Sequence, residues 1–320
     1  MFNKKNLGWL IITLAIYSLV KVLLITGVIN PFYEISLITI MINIVLALGL
    51  NLIIGYSGQF SLGHAGFMAI GAYTTAIVMI KVPSFWGFVI GMLLGMLLCG
   101  VISLMVAIPT LRLRGDYLAI ATLGASEIIR ILIINMKITN GASGISGITK
   151  YVNFDVAFVL LMFCLIVILN FIRSNSGRCA LAIKEDEIAS QAMGINTTKF
   201  KVIAFLIGTI FAAMAGSMYA SYFFVIYPNS FGFVKSVDIL IIVVFGGIGS
   251  ISGTILSAVV LGIMNIFLQN FVQLRMIIYA LLLIVIMVFK PSGLLGTKEL
   301  TMDKIFKFFG GRKYGNTKGE

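Results

Sequence analysis

Long apolar runs, separated by short polar or glycine-rich connections, set the pattern of this chain. The runs fall at Gly8–Val28 and near 35–54, 60–80, 86–108, 116–136, 153–172, 200–224, 237–249, 251–271 and 274–289. Most are about 20 residues, the length that carries a helix across ~30 Å of hydrocarbon. The run at 237–249 is shorter and reads as a broken or re-entrant element, which other helices must shield from lipid. The prolines test the division: Pro31, Pro83, Pro109, Pro228 and Pro291 all fall at or just beyond run ends, where proline is tolerated. The strand-length alternation of a membrane barrel is absent. The pattern predicts an all-α polytopic membrane protein of about ten transmembrane helices. The N-terminal run is too long for a signal-peptide core and no small-residue cleavage site follows it, so it reads as a retained first span.

One polar stretch interrupts this pattern, Arg173 to Lys201. Inside it KEDEIASQAMG predicts a short amphipathic helix. Asp186 is placed to cap its start, with Glu185 and Glu187 near the positive end of the helix dipole. Ile188 with Ala192, and Ala189 with Met193, share one apolar side at i, i+4. Gly194 fits the left-handed position that ends a helix. About nine residues give ~13 Å, too short to cross a bilayer. Such an element either fits a groove in a partner protein or serves as a connector lying on the surface. The acidic start disfavours an anionic leaflet.

Composition agrees with the pattern. The 320 residues are 60% hydrophobic and 11% charged, and mean hydropathy is +1.11. The net charge of +12 is not a nucleic-acid signature, because the basic residues are sided rather than interleaved with exposed aromatics. With the N-terminus inside, 16 of 23 Lys and Arg lie in cytoplasmic segments, as the positive-inside rule requires. An even number of spans then puts both termini and the Arg173–Lys201 loop in the cytoplasm. The division is a membrane domain over 1–297 and a basic cytoplasmic tail over 298–320.

The chemistry of an enzyme is missing. No phosphate-binding G-x-x-x-x-G-K-[ST] motif occurs, and GGIGSISG lacks both the spacing and the βαβ setting of a dinucleotide site. His64 is the single histidine and the three cysteines are scattered, so no metal site, cofactor site or catalytic constellation is expected.

Charges and glycines inside the spans carry what remains. Glu127 and Arg130, at i, i+3 near mid-span, share a helix face and can pair. They are either a pair joining helices or part of a translocation path. Two glycine-rich breaks, GYSGQFSLGHAG (Gly55–Gly66) and FGGIGSISG (Phe245–Gly253), fall at cytoplasmic span ends. They are either tight connections or unwound backbone lining a cavity. Gly58, Ser61 and His64 in the first break, with the segment 139–147, are candidates for a pathway or docking surface. Small residues four apart (Ser61, Ala65, Ala69; Ala212, Gly216, Ala220; Ala213, Ser217, Ser221) predict close helix packing.

At EIASQAMG the chain resembles the E-A-A…G cytoplasmic loop of ABC importer permeases. Glu187, Ala189 and Gly194 stand in the acidic, small and glycine places; the second small place departs. GYSGQFSLGHAGFMAIGAY, LRLRGDYLAIATLGASEIIR, TNGASGIS, VFGGIGSISGT and RMIIYALLLIVIMVFKPSGLLG, in this order, resemble the permeases for branched-chain amino acids, in particular their LivM-like family. The resemblance covers roughly 35–296. It implies a type II, cobalamin-importer-like layout with the coupling loop between spans six and seven. The implied partners are a second homologous permease subunit, two cytoplasmic ABC ATPases and an extracytoplasmic substrate-binding protein. The implied site is a prokaryotic cell membrane, and the implied cargo is Leu, Ile or Val. Close relatives of the family carry urea, and an ion-coupled carrier is the reading from a different class.

Overall fold

The computed structural model describes residues 4–27, 30–110, 113, 115–268 and scattered positions between 277 and 296. The predicted span 274–289 lies largely outside the described residues, and the tail 298–320 wholly outside. The long helices are α1 (Lys4–Ile25), α2 (Pro31–Asn51), α3 (His64–Lys81), α4 (Phe85–Thr110), α5 (Asp116–Asn135) and α6 (Phe154–Arg173). After two short helices, α7 (Asn175–Glu185) and α8 (Glu187–Ala192), come α9 (Thr197–Phe223), α10 (Phe233–Gly246) and α11 (Ile251–Phe267). One pair of two-residue strands, β1 (Ile145–Ser146) and β2 (Val225–Ile226), ties the α5–α6 connection antiparallel to the end of α9.

Among the described residues, six helical segments are long and apolar enough to cross a membrane: Pro31–Tyr56, Phe85–Thr110, Asp116–Asn135, Phe154–Arg173, Thr197–Phe223 and Pro228–Gly246. α3 is not among them: His64 and Lys81 stand at its ends and glycine, alanine and threonine fill much of its middle. It lies against α9, α4 and α5, and every residue from His64 to Tyr73 is buried. A helix enclosed by other helices needs small side chains for close approach rather than a lipid-compatible surface. α4 is the opposite case: Trp86, Leu97 and Met105 on its outer side are exposed.

α3 and α9 form the centre. At their crossing a Cβ on Gly71 would overlap the Ala213 carbonyl, and one on Gly216 would overlap the Met68 carbonyl. Ser217, between these layers, bonds Thr75 through its hydroxyl at 2.8 Å. α2 crosses α9 at a second glycine pair, where a Cβ on Gly49 would sit 2.7 Å from the Gly208 carbonyl oxygen. The four-residue spacing Ala212, Gly216, Ala220 thus faces α3.

The short predicted run 237–249 is longer at its start. A 3-10 turn at Pro228–Phe231 leads into α10, and together they make a 19-residue segment. Lys235 interrupts the apolar run, so a boundary read from hydropathy falls too late. Lys235 is accommodated within the bundle because its ammonium donates to Asn43 Oδ1 of α2 at 3.0 Å. The end of α10 at Gly246 is sharp: Gly247 and Gly249 take φ of +110° and +90°, which glycine adopts without steric cost.

Candidate functional site

The two glycine-rich breaks, far apart in sequence, meet in space. α2 does not run straight into the first break but loosens into a π-helical turn, Leu52–Tyr56. The Gly55 backbone packs directly on Gly249 in the second break. Asn51, 1% exposed at the end of α2, fastens the junction. Its amide donates to the Ser250 carbonyl at 3.0 Å and to Thr254 Oγ1 at 2.9 Å, and its Oδ1 accepts from Gly249 N at 2.8 Å. One side chain thus bonds both the second break and the first turn of α11, so the junction is held by geometry that an apolar residue could not supply.

The Arg173–Lys201 stretch lies against this junction. It contains more helix than the sequence predicts: α7 precedes α8, started by Ser174, whose hydroxyl accepts from Gly177 N. α7 buries only Gly177, Ala180 and Ile183, too few apolar positions to stand out in a polar run. Glu185 therefore ends α7 rather than starting the next helix. Asp186 breaks the chain into an extended conformation (φ −152°, ψ 110°), and its carboxylate accepts from Ile188 N and Ala189 N at 2.9 and 3.0 Å. This cap defines the start of α8 and leaves it six residues long, shorter than the predicted nine. Gly194 closes the element at φ +82° with open space around its Cα. Asn196 caps α9 by accepting from Lys199 N.

α8 presents its apolar side outward. Ile188 is 71% exposed and Met193 82% exposed, and Ala189, Ala192 and Gly194 are exposed beside them. Underneath, Ser190 and Thr197 are buried. Glu187 points the other way, toward α9: its Oε1 accepts from Lys201 Nζ at 2.7 Å. From α7, Lys184 packs its side chain on Gly58, which holds φ +68°. The predicted α8 residues and Gly58 thus gather at the same end of the bundle as both breaks.

Ser61 and His64 lie deeper. Both are buried; among the described residues the Ser61 hydroxyl has no partner, and the His64 ring approaches the Leu46 carbonyl without meeting hydrogen-bond geometry at either nitrogen. α5 closes over this stretch, with Thr122 Oγ1 accepting from Leu62 N and Ser126 packed on Gly66.

The other candidates sit elsewhere. Arg130 binds Glu127 Oε2 at 2.7–2.8 Å and donates to Asn229 Oδ1 at 3.2 Å, in the turn before α10 and remote from the α10–α11 break. Arg130 thereby ties α5 to the turn before α10. Arg130→Met is expected to lower stability by about 1–3 kcal/mol by leaving Glu127 without its cation, and adding Glu127→Gln is expected to recover part of that. Scanning fluorimetry of the purified protein reads both. The segment 139–147 lies at that same far end, folded into 3-10 turns and β1. A cavity of 450 Å³ between α1, α2 and α6, lined by Lys21, Glu34 and Asp155, also opens there.

The sequence reading missed Asn51, Gln59, Lys201 and Thr254. Asn51 carried a usable signal, as a lone polar residue inside LALGLNLIIG.

A family profile described as "Branched-chain amino acid transport system / permease component" matches residues 32–288. The chain is 37% identical over 294 residues to the high-affinity branched-chain amino acid transport system permease protein LivM of Salmonella typhimurium, spanning 80% of this chain and 68% of that protein. Against LivM of Escherichia coli the identity is 36% over 292 residues, with the same coverage. Against the permease protein LivH of Salmonella typhimurium it is 24% over 284 residues, spanning 80% of this chain and 91% of that protein. No solved structure matches the chain.

Proposed function

Because this chain belongs to the branched-chain amino acid transport system / permease component family, we propose that it is a membrane-spanning subunit of an ATP-driven importer for Leu, Ile and Val. It is a transport subunit and not an enzyme. The family match over residues 32–288 carries this reading. The relatives include both LivM and LivH permease proteins, which supports a heterodimer of this chain with a second, homologous permease. Two cytoplasmic ABC ATPases and an extracytoplasmic binding protein complete the assembly in a prokaryotic cell membrane. The proposed layout is type II, with ten spans and both termini cytoplasmic, a membrane domain over 1–297 and a basic tail over 298–320.

Within that assembly α8 is the contact for an ATPase subunit. What supports this is an apolar patch of Ile188, Ala189, Ala192, Met193 and Gly194, held outward by the Asp186 cap and standing next to the two breaks. Closure of the ATPases moves α8, the breaks shift, and the path opens inward. ATP can bias this equilibrium only by favouring one arrangement over the other. Gly58, Ser61 and His64 belong to the moving part. Glu127 and Arg130 stabilise α5 against the turn before α10, and a paired carboxylate is a poor proton carrier, which disfavours ion-coupled transport.

The test has two arms. The cognate binding protein is expected to bind Leu, Ile or Val and not urea in calorimetry. Proteoliposomes with the full complex should take up that amino acid only with ATP inside the ATPase compartment. Uptake by the permease chains alone, driven by an ion gradient, would overturn the proposal; urea binding would overturn the cargo.

A further inference from the structure

We infer that Gln59, acting with the Glu187–Lys201 ion pair, is the positioning residue that transmits movement of α8 to the two glycine-rich breaks. This rests on the reading of α8 as the ATPase contact.

The linkage can be followed bond by bond. Lys201, in the second turn of α9, is only 13% exposed at its side chain, and Glu187 is 26% exposed. An ion pair this far from water, with a 2.7 Å contact, is less screened than a surface pair and holds α8 firmly to α9. The main-chain carbonyl of the same Lys201 accepts from Gln59 Nε2 at 2.9 Å. A carbonyl has two lone pairs, so this bond is available inside a helix. Gln59 Nε2 donates also to Ser57 Oγ at 2.8 Å, and Ser57 Oγ donates to the Ile53 carbonyl at 2.7 Å. The Gln59 backbone N–H reaches the same Ile53 carbonyl at 3.1 Å. Ile53 lies in the π-helical turn that follows Asn51, and Asn51 grips the second break. Gln59, Ser57 and Asn51 are each 1% exposed.

Two features make this a transmission path rather than packing. First, every step from Glu187 through Lys201 and Gln59 to Ile53 is a hydrogen bond or ion pair of 3.1 Å or less, whereas Lys184 meets Gly58 only by van der Waals contact. Second, the Gln59 amide is half used. Its nitrogen makes two bonds, while among the described residues its buried Oε1 has no partner and the neighbouring Ser61 hydroxyl has none either. Buried acceptors are normally satisfied. A stretch that leaves two polar atoms unpaired at a π-helical turn is suited to a second arrangement in which they find partners, and such turns mark functional positions.

The test uses the complete complex in proteoliposomes and reads basal ATP hydrolysis, stimulation by loaded binding protein, and substrate moved per ATP. Gln59→Leu keeps a branched side chain of similar bulk, one atom shorter, and removes the donor. It is expected to assemble and to hydrolyse ATP at the basal rate, but to lose stimulation and substrate per ATP about tenfold. Lys201→Met should behave likewise, while Lys201→Arg should retain coupling. The exchanged pair Glu187→Lys with Lys201→Glu should regain part of what each single change loses. Wild-type substrate per ATP in Gln59→Leu would overturn the linkage. Should Gln59→Leu fail to assemble, Lys201→Met and Lys201→Arg decide: equal coupling overturns the linkage, and a tenfold gap upholds it. Failure of the underlying reading looks different, because the wild-type complex would then show no dependence of uptake on ATP.

Discussion

Replacing Ile188 and Met193 together by aspartate is expected to abolish import while leaving the chain folded in the membrane. The two side chains are 71% and 82% exposed and make the apolar surface of α8. Substitutions at such positions change folding stability by no more than about 0.5 kcal/mol. At an interface the same positions act as anchors, each costing about 2 kcal/mol or more when lost, which is roughly thirtyfold in affinity. Burying an unpaired carboxylate in a complementary groove adds a further desolvation cost. The ATPase subunits should therefore fail to co-purify, and ATP-dependent uptake should fall below detection. The Asp186 cap and the Glu187–Lys201 pair remain in the variant, so α8 keeps its shape. Wild-type stoichiometry of ATPase subunits on the double variant would remove α8 from the interface.

The second large effect is on folding. Gly71→Leu or Gly216→Leu is expected to leave little folded protein. A Cβ at either position overlaps a backbone carbonyl of the facing helix, Ala213 or Met68, and backbone cannot rotate away as a side chain can. α3 and α9 would have to separate along the most extensive contact in the bundle. Overpacking of a close-packed core costs about 1–3 kcal/mol when side chains can adjust, and more when they cannot. Gly124→Ala is the matched control, on α5 with open space beyond its Cα. It should match or exceed the wild type, because alanine favours helix over glycine by about 0.5–1 kcal/mol. Yield of monodisperse protein in detergent separates the two outcomes.

α3 illustrates how sequence and structure divide the information. Its run was visible as a span, yet it is less apolar than the other spans, because small and polar residues such as Gly66, Gly71, Tyr73, Thr74 and Thr75 stand where it packs against its neighbours. α7 is the reverse case: a regular helix of eleven residues that composition concealed, since only three of its positions are buried. The ends of α8 were legible to within a residue or two. Asp186 and Gly194 act through bonds to neighbours two to four positions away, and such local chemistry is written in order along the chain. Glu185 was misplaced because a kink at Asp186 divides what reads as one helix.

The sequence by itself determined the membrane class, the sites of the apolar helices, the small-residue spacings and the short capped helix in the Arg173–Lys201 stretch. Each follows from periodicity or capping, which act over a few residues. Only the tertiary structure decided that the two glycine-rich breaks are one junction, that Glu187 turns inward to Lys201 while Ile188 and Met193 turn outward, and that Gln59 stands between them. Those relations join residues 142 and 198 positions apart. They depend on where α2, α9 and the α10–α11 turn cross, and that is set by glycine contacts between helices that no local pattern encodes.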